Sequence, residues 1–418
     1  MTSYRVSMDI GGTFTDIVTL DESTGEFRAT KASTTPGHLS AGVLGGLESM
    51  IDDLADIDFI VHGTTQGLNA FLERRGVRVL LLATDGVQDV YHIARGPRHR
   101  LYDAQYRKPE PLVQRSDVIG IPGRFQYDGS ELIPLDEEAV RAAGIRARDE
   151  GYGAIAVGYL FSYRNASHEL RTREILREVL GEEFTVSLSH EAAKEWREYE
   201  RTSSAVIEAY TGPVVRNYLV DLEEQLTARG VDAPLHIMQS SGGVLTAKSA
   251  RERPLQTLLS GPVGGAIGGE ALAKIVSNNN LIGVDMGGTS FDVSLVVDGV
   301  PDVSTGANLE GLPMLMRIVN IHTIGAGGGS VAWIEAGGLR VGPRSAGAQP
   351  GPACYGRGGT EPTVTDANFV LGRVDAENFA GGQMRLDREA AARALETVGA
   401  ELGFDVIAFD TDAAKIGD

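Results

Sequence analysis

Two short stretches of this sequence carry the same set of residues that could do chemistry. Residues 9–16 read DIGGTFTD and residues 285–292 read DMGGTSFD, so both follow the pattern D-x-G-G-T-x-x-D. In each copy the two aspartates lie seven residues apart (16 − 9 and 292 − 285). Adjacent glycines can bring backbone N–H groups close to an anion, and the threonine adds a hydroxyl donor. A carboxylate beside a phosphate needs a Mg²⁺ ion or a polarised water between them. Two such loops facing each other would hold a nucleotide–metal complex across a cleft.

The residues around both loops predict the same arrangement of strands. Apolar and polar residues alternate over 4–10 before the first loop and over 291–297 after the second, which is the period of a β-strand. Apolar runs at 17–20 and 281–284 supply the other strand of each hairpin. We therefore expect each copy to be a strand, a Gly-Gly turn, a second strand, a turn and a third strand.

A third polar loop follows a short buried strand at residues 59–61. It reads HGTTQGLNA over 62–70 and leads into a helix, which is a position where α/β folds build sites. The hydroxyls of Thr64 and Thr65 are placed to face the cleft. For His62, a structural hydrogen bond beneath the sheet is favoured over a ligand role.

Two further segments bear on how the loops are positioned. Apolar residues at helical spacing predict one long helix over about 200–229, broken near Gly212 and Pro213, that connects two lobes. Residues 95–134 contain five prolines among many charges and are predicted to be an irregular or inserted segment and not a continuation of the sheet.

Composition limits the class of protein. A chain of 418 residues should form two or three domains, and its net charge of −19 argues against a nucleic-acid or anionic-membrane surface. Cys354 is the one cysteine, which excludes an intramolecular disulfide, and its neighbours favour a packed apolar role over a nucleophile. The sequence has no transmembrane stretch and no secretory signal at its start, so we expect a cytoplasmic protein. Walker-type, G-x-S-x-G and H-E-x-x-H motifs are absent.

With these loops placed, the chain resembles the hydantoinase A / 5-oxoprolinase family, and it is also similar to acetone carboxylase beta-type subunits. The resemblance covers nearly the whole sequence and is carried by nine segments. These segments are MDIGGTFTDIV (8–18), HGTTQGLNA (62–70), FSYRNASHE (161–169), SHEAAKEWREYERTSSAVIEAYTGPV (189–214), MQSSGGV (238–244), LSGPVGG (259–265), GVDMGGTSFDVS (283–294), HTIGAGGGS (322–330) and GPACYGRGGTEPTVTDAN (351–368).

The resemblance implies a fold and an activity. The fold would be α/β and of the actin/hexokinase/Hsp70-like (ribonuclease H-like) type, duplicated, with two lobes around a nucleotide cleft and the second lobe apparently truncated. Residues 1–190 would form the N-terminal lobe, with its insert at about 95–134, and residues 191–418 the second lobe. The implied enzyme is an ATP-dependent cyclic-amide hydrolase subunit that phosphorylates an amide oxygen with Mg-ATP before ring opening. It would act with a hydantoinase B-type subunit in an oligomer.

Residues are carried over from the family only where this sequence matches its motifs. Asp9 and Asp285 would be catalytic and would hold Mg²⁺ through water. Lower expectations fall on Asp292, Glu198, Arg201 and Asp366, which could serve lobe packing instead. The expected nucleotide-binding residues are Gly11, Gly12, Thr13, Thr64, Thr65, Gly287, Gly288, Thr289, Gly325, Gly327, Gly328 and Gly329.

Two departures from the family pattern leave other functions open. Residues 84–89 read TDGVQD where the family tends to have T-T-x-G-F-x-D, which weakens the inference of a substrate. Family members also continue well past residue 418, so the chain is expected to lack the part that helps to hold the adenosine. The alternatives are an ATP-using subunit of an acetone/acetophenone-type carboxylase and a truncated, non-catalytic chain that binds a partner.

Overall fold

A six-stranded sheet carries the first D-x-G-G-T loop. This sheet is part of a mixed α/β fold. The structure is a computed structural model, and it describes residues 3–11, 14–33, 39–96, 102, 105–288, 291–324, 326–347, 349–377, 379 and 384–403. Strands and helices are numbered in chain order. From edge to edge the first sheet contains β12 (Val244–Thr246), β11 (Leu235–Met238), β4 (Ile57–Thr64), β1 (Tyr4–Ile10), β2 (Phe14–Asp21) and β3 (Phe27–Ser33).

The first three strands form the predicted antiparallel meander, and β4 and β11 extend it in parallel. Alternation of side chains along β1 buries Val6, Met8 and Ile10 on one face. These residues pack in one core with helix α1 (Leu39–Glu48). The division expected at residue 190 stays a prediction, although β11 and β12 join this first sheet from beyond it.

A second sheet is fully parallel. Its strands, in spatial order, are β10 (Thr185–Leu188), β9 (Ala154–Gly158), β5 (Val79–Thr84) and β6 (Val118–Ile121). Every residue of β5 and β9 is buried, as parallel strands covered on both faces require. Helices α4 (Glu137–Asp149) and α5 (Ser167–Leu180) pack on it. Strand β6 corrects the expectation for residues 95–134, because part of that proline-rich segment does continue a sheet.

Helix α7 (Glu198–Thr227) connects the two sheets. Its 30 residues span about 45 Å at the usual rise per residue. Ala205, Val206 and Ala209 pack in a core with β5 and β9, whereas Val215 and Leu219 pack in the core of the first sheet. The break expected near Gly212 is not there: Pro213 removes one intrahelical hydrogen bond, but the helix continues because each half is held in its own core.

A third sheet carries the second D-x-G-G-T loop. It contains β13 (Leu281–Met286), β14 (Phe291–Val297), β15 (Val300–Pro301) and β20 (Ile321–Ile324), and β14 pairs with the other three strands, all antiparallel. The predicted repeat of the meander is therefore present. It differs from the first in burial, since Ile282 and Val284 of β13 are exposed where the matching residues of β1 face a core.

The remaining elements form smaller units around these sheets. Among the described residues, no helix has both the length and the apolar character needed to cross a membrane. The two-stranded units are β7 (Arg124–Phe125) with β8 (Glu131–Ile133), β16 (Val303–Ser304) with β19 (Ile318–Val319), β17 (Ala307–Leu309) with β18 (Leu312–Met314), and β21 (Ser330–Glu335) with β22 (Gly338–Ser345). The other helices are α2 (Gln66–Leu72), α3 (Val90–Ile93), α6 (Ser189–Ala192), α8 (Ala247–Glu252), α9 (Ser260–Ile275), α10 (Val364–Val370) and α11 (Arg388–Leu402).

Candidate active site

Asp9 lies at the end of β1, beside the first loop. Its cross-strand partner on β2 is Asp16, and its neighbour on the parallel strand β4 is Gly63. The Oδ1 atom of Asp9 is buried and has no hydrogen-bond partner among the described residues. Leaving a buried polar atom unpaired costs about 1–3 kcal/mol, and more for a charged group. An atom of this kind is accounted for by a bound ion, ligand or water.

Two glycines leave the space in which this carboxylate sits. A Cβ atom added at Gly63 would lie 2.8 Å from Oδ1 of Asp9. One added at Gly261 would lie 3.3 Å from the same oxygen and 3.0 Å from Cγ2 of Thr65. Gly261 is in the first turn of α9, so this helix and β4 both approach Asp9 closely. At position 63 any side chain would displace the carboxylate.

The two hairpins have the same register. Asp285 lies opposite Asp292 just as Asp9 lies opposite Asp16, and residues 10 and 286 face residues 15 and 291. Residues directly opposite in a sheet lie on the same face. The seven-residue spacing read in the sequence therefore places a pair of carboxylates on one face of each hairpin.

The carboxylates of the two hairpins affect each other. Burial raises the pKa of Asp9 to about 6, and the charges of Asp16 and Asp285 add to the effect. Burial also raises the pKa of Asp285, followed by the charges of Asp292 and Asp16. The two loops, which are far apart in the sequence, thus come together at one site whose mutual repulsion favours a cation.

Lys31 is a residue of this site that the sequence analysis missed. It lies on β3 opposite Asp16, and its Nζ is 2.9 Å from Oδ1 of Asp16. Its positive charge lowers the pKa of both Asp9 and Asp285. Counting outward from the turn at residues 21–26 pairs position 16 with position 31, so the hairpin register was the signal that could have found it.

The third loop is fastened to the first hairpin by its threonines. Thr65 donates its hydroxyl proton to the carbonyl of Ile10 at 3.0 Å. The buried Thr64 accepts from the N–H of Gln66 at 3.2 Å, and Ser260 at the start of α9 donates to its carbonyl at 2.9 Å. The Thr65 hydroxyl therefore holds the loop against the hairpin, the backbone of Thr64 holds it against α9, and the Thr64 hydroxyl bonds within the loop itself.

The Gly-rich loop after β20 lies on the second hairpin. The N–H groups of Gly328 and Gly329 donate to the carbonyls of Gly287 and Gly288 at 2.8 and 2.7 Å. The backbone N–H of Thr365 in turn donates to the carbonyl of Gly328 at 2.8 Å. The structure thus brings Gly327–329 to the second predicted loop, while two of their N–H groups are already used within the protein.

Four of the predicted binding residues, Gly12, Thr13, Thr289 and Gly325, lie outside the described residues. Gly11 and Gly287 are described and stand at the start of the two hairpin loops. The roles assigned to Asp9, Asp285 and the loop residues remain predictions.

The residues with lower expectations make contacts within the protein, and their roles stay predictions. Arg201 is fully buried and donates to the carbonyls of Tyr159 and Glu195 at 2.7 and 2.9 Å. Glu198 lies 3.8 Å from it. Asp366 accepts from four groups around the start of α10, and Asp292 is the cross-strand partner already described.

Two structural expectations are confirmed. His62 is fully buried, with Nδ1 donating to the carbonyl of Met8 at 3.3 Å and Nε2 accepting from the hydroxyl of Tyr218 at 2.8 Å. Burial lowers its pKa to about 4, so the ring is neutral. Cys354 is fully buried in an apolar cluster, and burial raises the pKa of its thiol far above the usual range.

A metal ion that keeps its water molecules fits this site. In the part of the chain that the structure describes, no three His, Cys, Asp or Glu side chains are arranged to hold an ion directly. Mg²⁺ keeps several of its water molecules in most protein sites. The unpartnered oxygen of Asp9 and the space left by Gly63 and Gly261 fit such a hydrated ion.

The sequence that forms this α/β fold and its two acidic hairpins matches a known family. The family model described as hydantoinase/oxoprolinase matches residues 201–416, and its N-terminal-region model matches residues 5–180. The chain belongs to the hydantoinase/oxoprolinase family. The family membership expected from the motifs is thereby confirmed.

The relatives of this chain are named after different activities. The chain is 40% identical to the caprolactamase subunit alpha of Pseudomonas jessenii, an alignment that covers 96% of this chain and 59% of the relative. It is 38% identical to the acetophenone carboxylase gamma subunit of Aromatoleum aromaticum, over 96% of this chain and 58% of that subunit. A 5-oxoprolinase of Dictyostelium discoideum is 31% identical over 90% of this chain and 33% of its own length.

Solved structures agree with this assignment. The nucleotide-free structure of an acetone carboxylase described as ATP-dependent superposes with a TM-score of 0.85 at 28% identity, covering 100% of this chain and 61% of that one. The crystal structure of the ATP-dependent caprolactamase from Pseudomonas jessenii gives a TM-score of 0.79 at 37% identity, over 99% and 61%. The chain thus spans about three-fifths of these relatives.

Proposed function

We propose that this chain is the ATP-binding subunit of a cyclic-amide hydrolase of the hydantoinase or 5-oxoprolinase type. The substrate would be a small cyclic amide whose oxygen is phosphorylated with Mg-ATP before water opens the ring. The buried and unpartnered Oδ1 of Asp9, set between two glycines and facing the second acidic hairpin, is the observation that carries the proposal. It supports a site built for a cation and a polyphosphate.

The residues of the chain have distinct parts in this proposal. Asp9 and Asp285 would hold the water molecules of a Mg²⁺ ion, whose charge would neutralise the phosphates during transfer. Gly11 and Gly287 allow the phosphates to approach the backbone of each hairpin. Thr65 and α9 keep the third loop against Asp9 through the bonds described above. The main contributions are positioning and charge neutralisation, as phosphoryl transfer requires.

The wider setting of the reaction is also part of the proposal. The two meanders with matched registers support a duplicated fold of the actin/hexokinase/Hsp70 type, with the nucleotide between its lobes. The subunit names of the caprolactamase and carboxylase relatives support a hetero-oligomer, for which we propose a hydantoinase B-type partner. We place the enzyme in the cytoplasm, where ATP is supplied.

The first experiment is calorimetry of Mg-ATP with the purified chain, followed by ATP turnover with the partner subunit and a set of hydantoins, lactams and 5-oxoproline. The test variants are Asp9→Asn and Asp285→Asn, which keep the shape of each side chain and remove its charge. We expect each to lower turnover by at least about 10²-fold, because the cation would lose its counter-charge.

Circular dichroism and the melting temperature serve as the control, since both variants should fold as the wild type does. Asp16→Asn is the matched comparison. It also removes one carboxylate charge from the site, but from an aspartate that is paired with Lys31. Wild-type turnover in both Asp9→Asn and Asp285→Asn would contradict the proposal. Absence of Mg-ATP binding to the wild-type chain would show that residues beyond this sequence are needed.

A carboxylase subunit is the second candidate. The high structural similarity to an acetone carboxylase favours it, and the acetophenone carboxylase subunit is nearly as similar in sequence as the caprolactamase subunit. ATP turnover that depends on a small ketone and bicarbonate, and not on any cyclic amide, would select this function.

A further inference from the structure

A second cleft lies away from the paired hairpins. Helices α5 and α6 and strand β10 form one wall, α7 forms the base, and residues 239–256 together with 316–317 form the other wall. Its volume is about 810 Å³. We call it the basic cleft, because six cationic side chains line it: Arg173, Arg177, Lys194, Arg216, Arg253 and Arg317.

Three of these cations are already engaged within the protein. Arg173 pairs with Glu191 at 2.7 Å, and Arg177 lies 3.5 Å from Glu182. Arg216 donates to the hydroxyl of Thr185 at 3.1 Å and to a backbone carbonyl. Two of the six cations are therefore paired with a carboxylate, and a third is held by neutral groups.

The other three cations make no salt bridge among the described residues, although the positive charge of one of them, Arg253, acts on the carboxyl group of Glu208. Lys194, Arg253 and Arg317 stand on three separate segments of the chain and line the same cleft. Asp and Glu outnumber Lys and Arg by 57 to 38 in the sequence, so acidic partners are plentiful. Three cations without a salt bridge that line one cleft of so acidic a protein indicate a place for an external anion.

The base of the basic cleft is polar and contains a buried carboxyl group. Glu208 of α7 is buried there, and burial together with the nearby Glu191 raises its pKa to about 7. At neutral pH this carboxyl group is therefore partly protonated and able to donate a hydrogen bond. The amides of Gln239 and Gln256, which bond to each other at 3.0 Å, lie beside it. Glu252 is exposed on the same wall as Arg253.

We propose that the basic cleft binds a small molecule bearing a carboxylate or phosphate group, held by Lys194, Arg253 and Arg317. Two guanidinium groups and an ammonium group suit an oxyanion with several acceptor atoms. The volume is sufficient for a small metabolite beyond the anionic group itself. This site is separate from the nucleotide site, and its occupancy does not depend on the proposed reaction.

The basic cleft nevertheless has a physical connection to Asp9. The N–H of Ser240 donates to the carbonyl of Gln256 at 2.7 Å, and the hydroxyl of Ser240 accepts from the N–H of Leu259 at 3.0 Å. The next residues begin α9, whose Gly261 lies against Asp9. One short segment therefore forms a wall of the basic cleft at one end and of the nucleotide site at the other.

Calorimetric titration with two probes, inorganic phosphate and glutarate, tests this proposal at constant ionic strength. The variant is the double substitution Arg253→Gln/Arg317→Gln, which changes two exposed side chains that make no ion pair in the described part of the chain. We expect the dissociation constant to rise by about tenfold or more, because the variant lacks two of the three cations that would hold the anion. Arg124→Gln is the matched control, since Arg124 is also exposed and outside the cleft.

The two probes distinguish the source of the anion. Saturable binding of glutarate alone would assign a carboxylate ligand, and saturable binding of phosphate alone would assign a phosphorylated one. The proposal is overturned by the lack of saturable binding of both probes to the wild type. It is equally overturned by unchanged affinity in the double variant, which would place the anion at the hairpin loops instead.

Discussion

The smallest residues around Asp9 determine what its carboxylate can do. Gly63 and Gly261 contribute no side chain beside Oδ1, and among the described residues this oxygen has no hydrogen-bond donor. Had either position carried a larger residue, the carboxylate would have been pushed aside or paired with a neighbour. The space that the two glycines leave is therefore as important to this site as the aspartates are.

Gly63→Ala tests this enclosure with the smallest possible change. The new methyl group would lie 2.8 Å from Oδ1 of Asp9, closer than two such atoms can approach, and the short aspartate side chain would have to turn away. We expect ATP turnover to fall by about 10²-fold, since a displacement of about 1 Å can have that effect. Steady-state kinetics and a melting curve provide the measurement.

Gly265→Ala is the control for that substitution. It lies in α9 one turn beyond Gly261, and a Cβ atom there has no neighbour within 4 Å. Alanine in a helix interior should raise stability by about 0.5–1 kcal/mol and leave turnover unchanged. Equal turnover in the two glycine variants would show that the space around Asp9 is not required.

His62 predicts how stability changes with pH. Its pKa is about 4 in the folded chain and 6.5 in an ordinary environment, so between these values the unfolded state binds a proton that the folded state does not. The free energy of unfolding should therefore fall by up to about 3 kcal/mol from this group as the pH drops from 6.5 to 4. Urea titrations from pH 7 to 4.5 should show a smaller loss in His62→Gln, and parallel curves for both proteins would refute the assignment.

At the scale of single elements, side chains at helix starts fix the loops that precede them. Asp366 of α10 accepts from the N–H groups of Ala353, Cys354 and Thr363 and from the hydroxyl of Thr363. This carboxylate is fully buried and ties the glycine-rich segment 351–359 to the helix. The family motif in that segment therefore has a structural explanation at this position.

Asp366→Ala should destabilise the protein much more than an ordinary cap substitution does. It removes four hydrogen bonds to a buried carboxylate and leaves several buried donors unpaired, for which we expect a loss of about 3–5 kcal/mol. Asp387→Ala is the matched control, because Asp387 caps α11 with one exposed hydrogen bond and its loss should cost about 1 kcal/mol. Denaturant unfolding measures both, and similar losses would contradict the role given to Asp366.

At the scale of the whole molecule, local patterns were readable from the sequence and distant pairings were not. The two hairpins follow from two-residue alternation and glycine turns, which are properties of neighbouring residues. Lys31, Gly63 and Gly261 gain their importance from strand pairing and helix packing that bring separate segments to Asp9. Strand β6 was missed because the prolines around it outweighed three apolar residues, although those prolines lie outside the strand.

Helix α7 has a consequence for how the molecule comes apart. Its first half belongs to the core of the parallel sheet and its second half to the core of the first sheet, with no turn between them. Neither sheet can lose its core without exposing part of a helix that the other still requires. The two sheets should consequently behave as one cooperative folding unit and not as two domains in series.

Scanning calorimetry of two variants would show this coupling. Val215→Ala weakens the core of the first sheet, and Leu81→Ala weakens the core that the parallel sheet shares with α7, each by about 1–5 kcal/mol. Both should shift a single shared melting transition, whereas a transition that splits in two would mean that α7 yields at Pro213. If the transition stays single, α7 couples the two sheets, and a substitution in the core of one sheet also destabilises the other. Mutations far from Asp9 would then reduce the amount of folded protein and not the rate of its reaction.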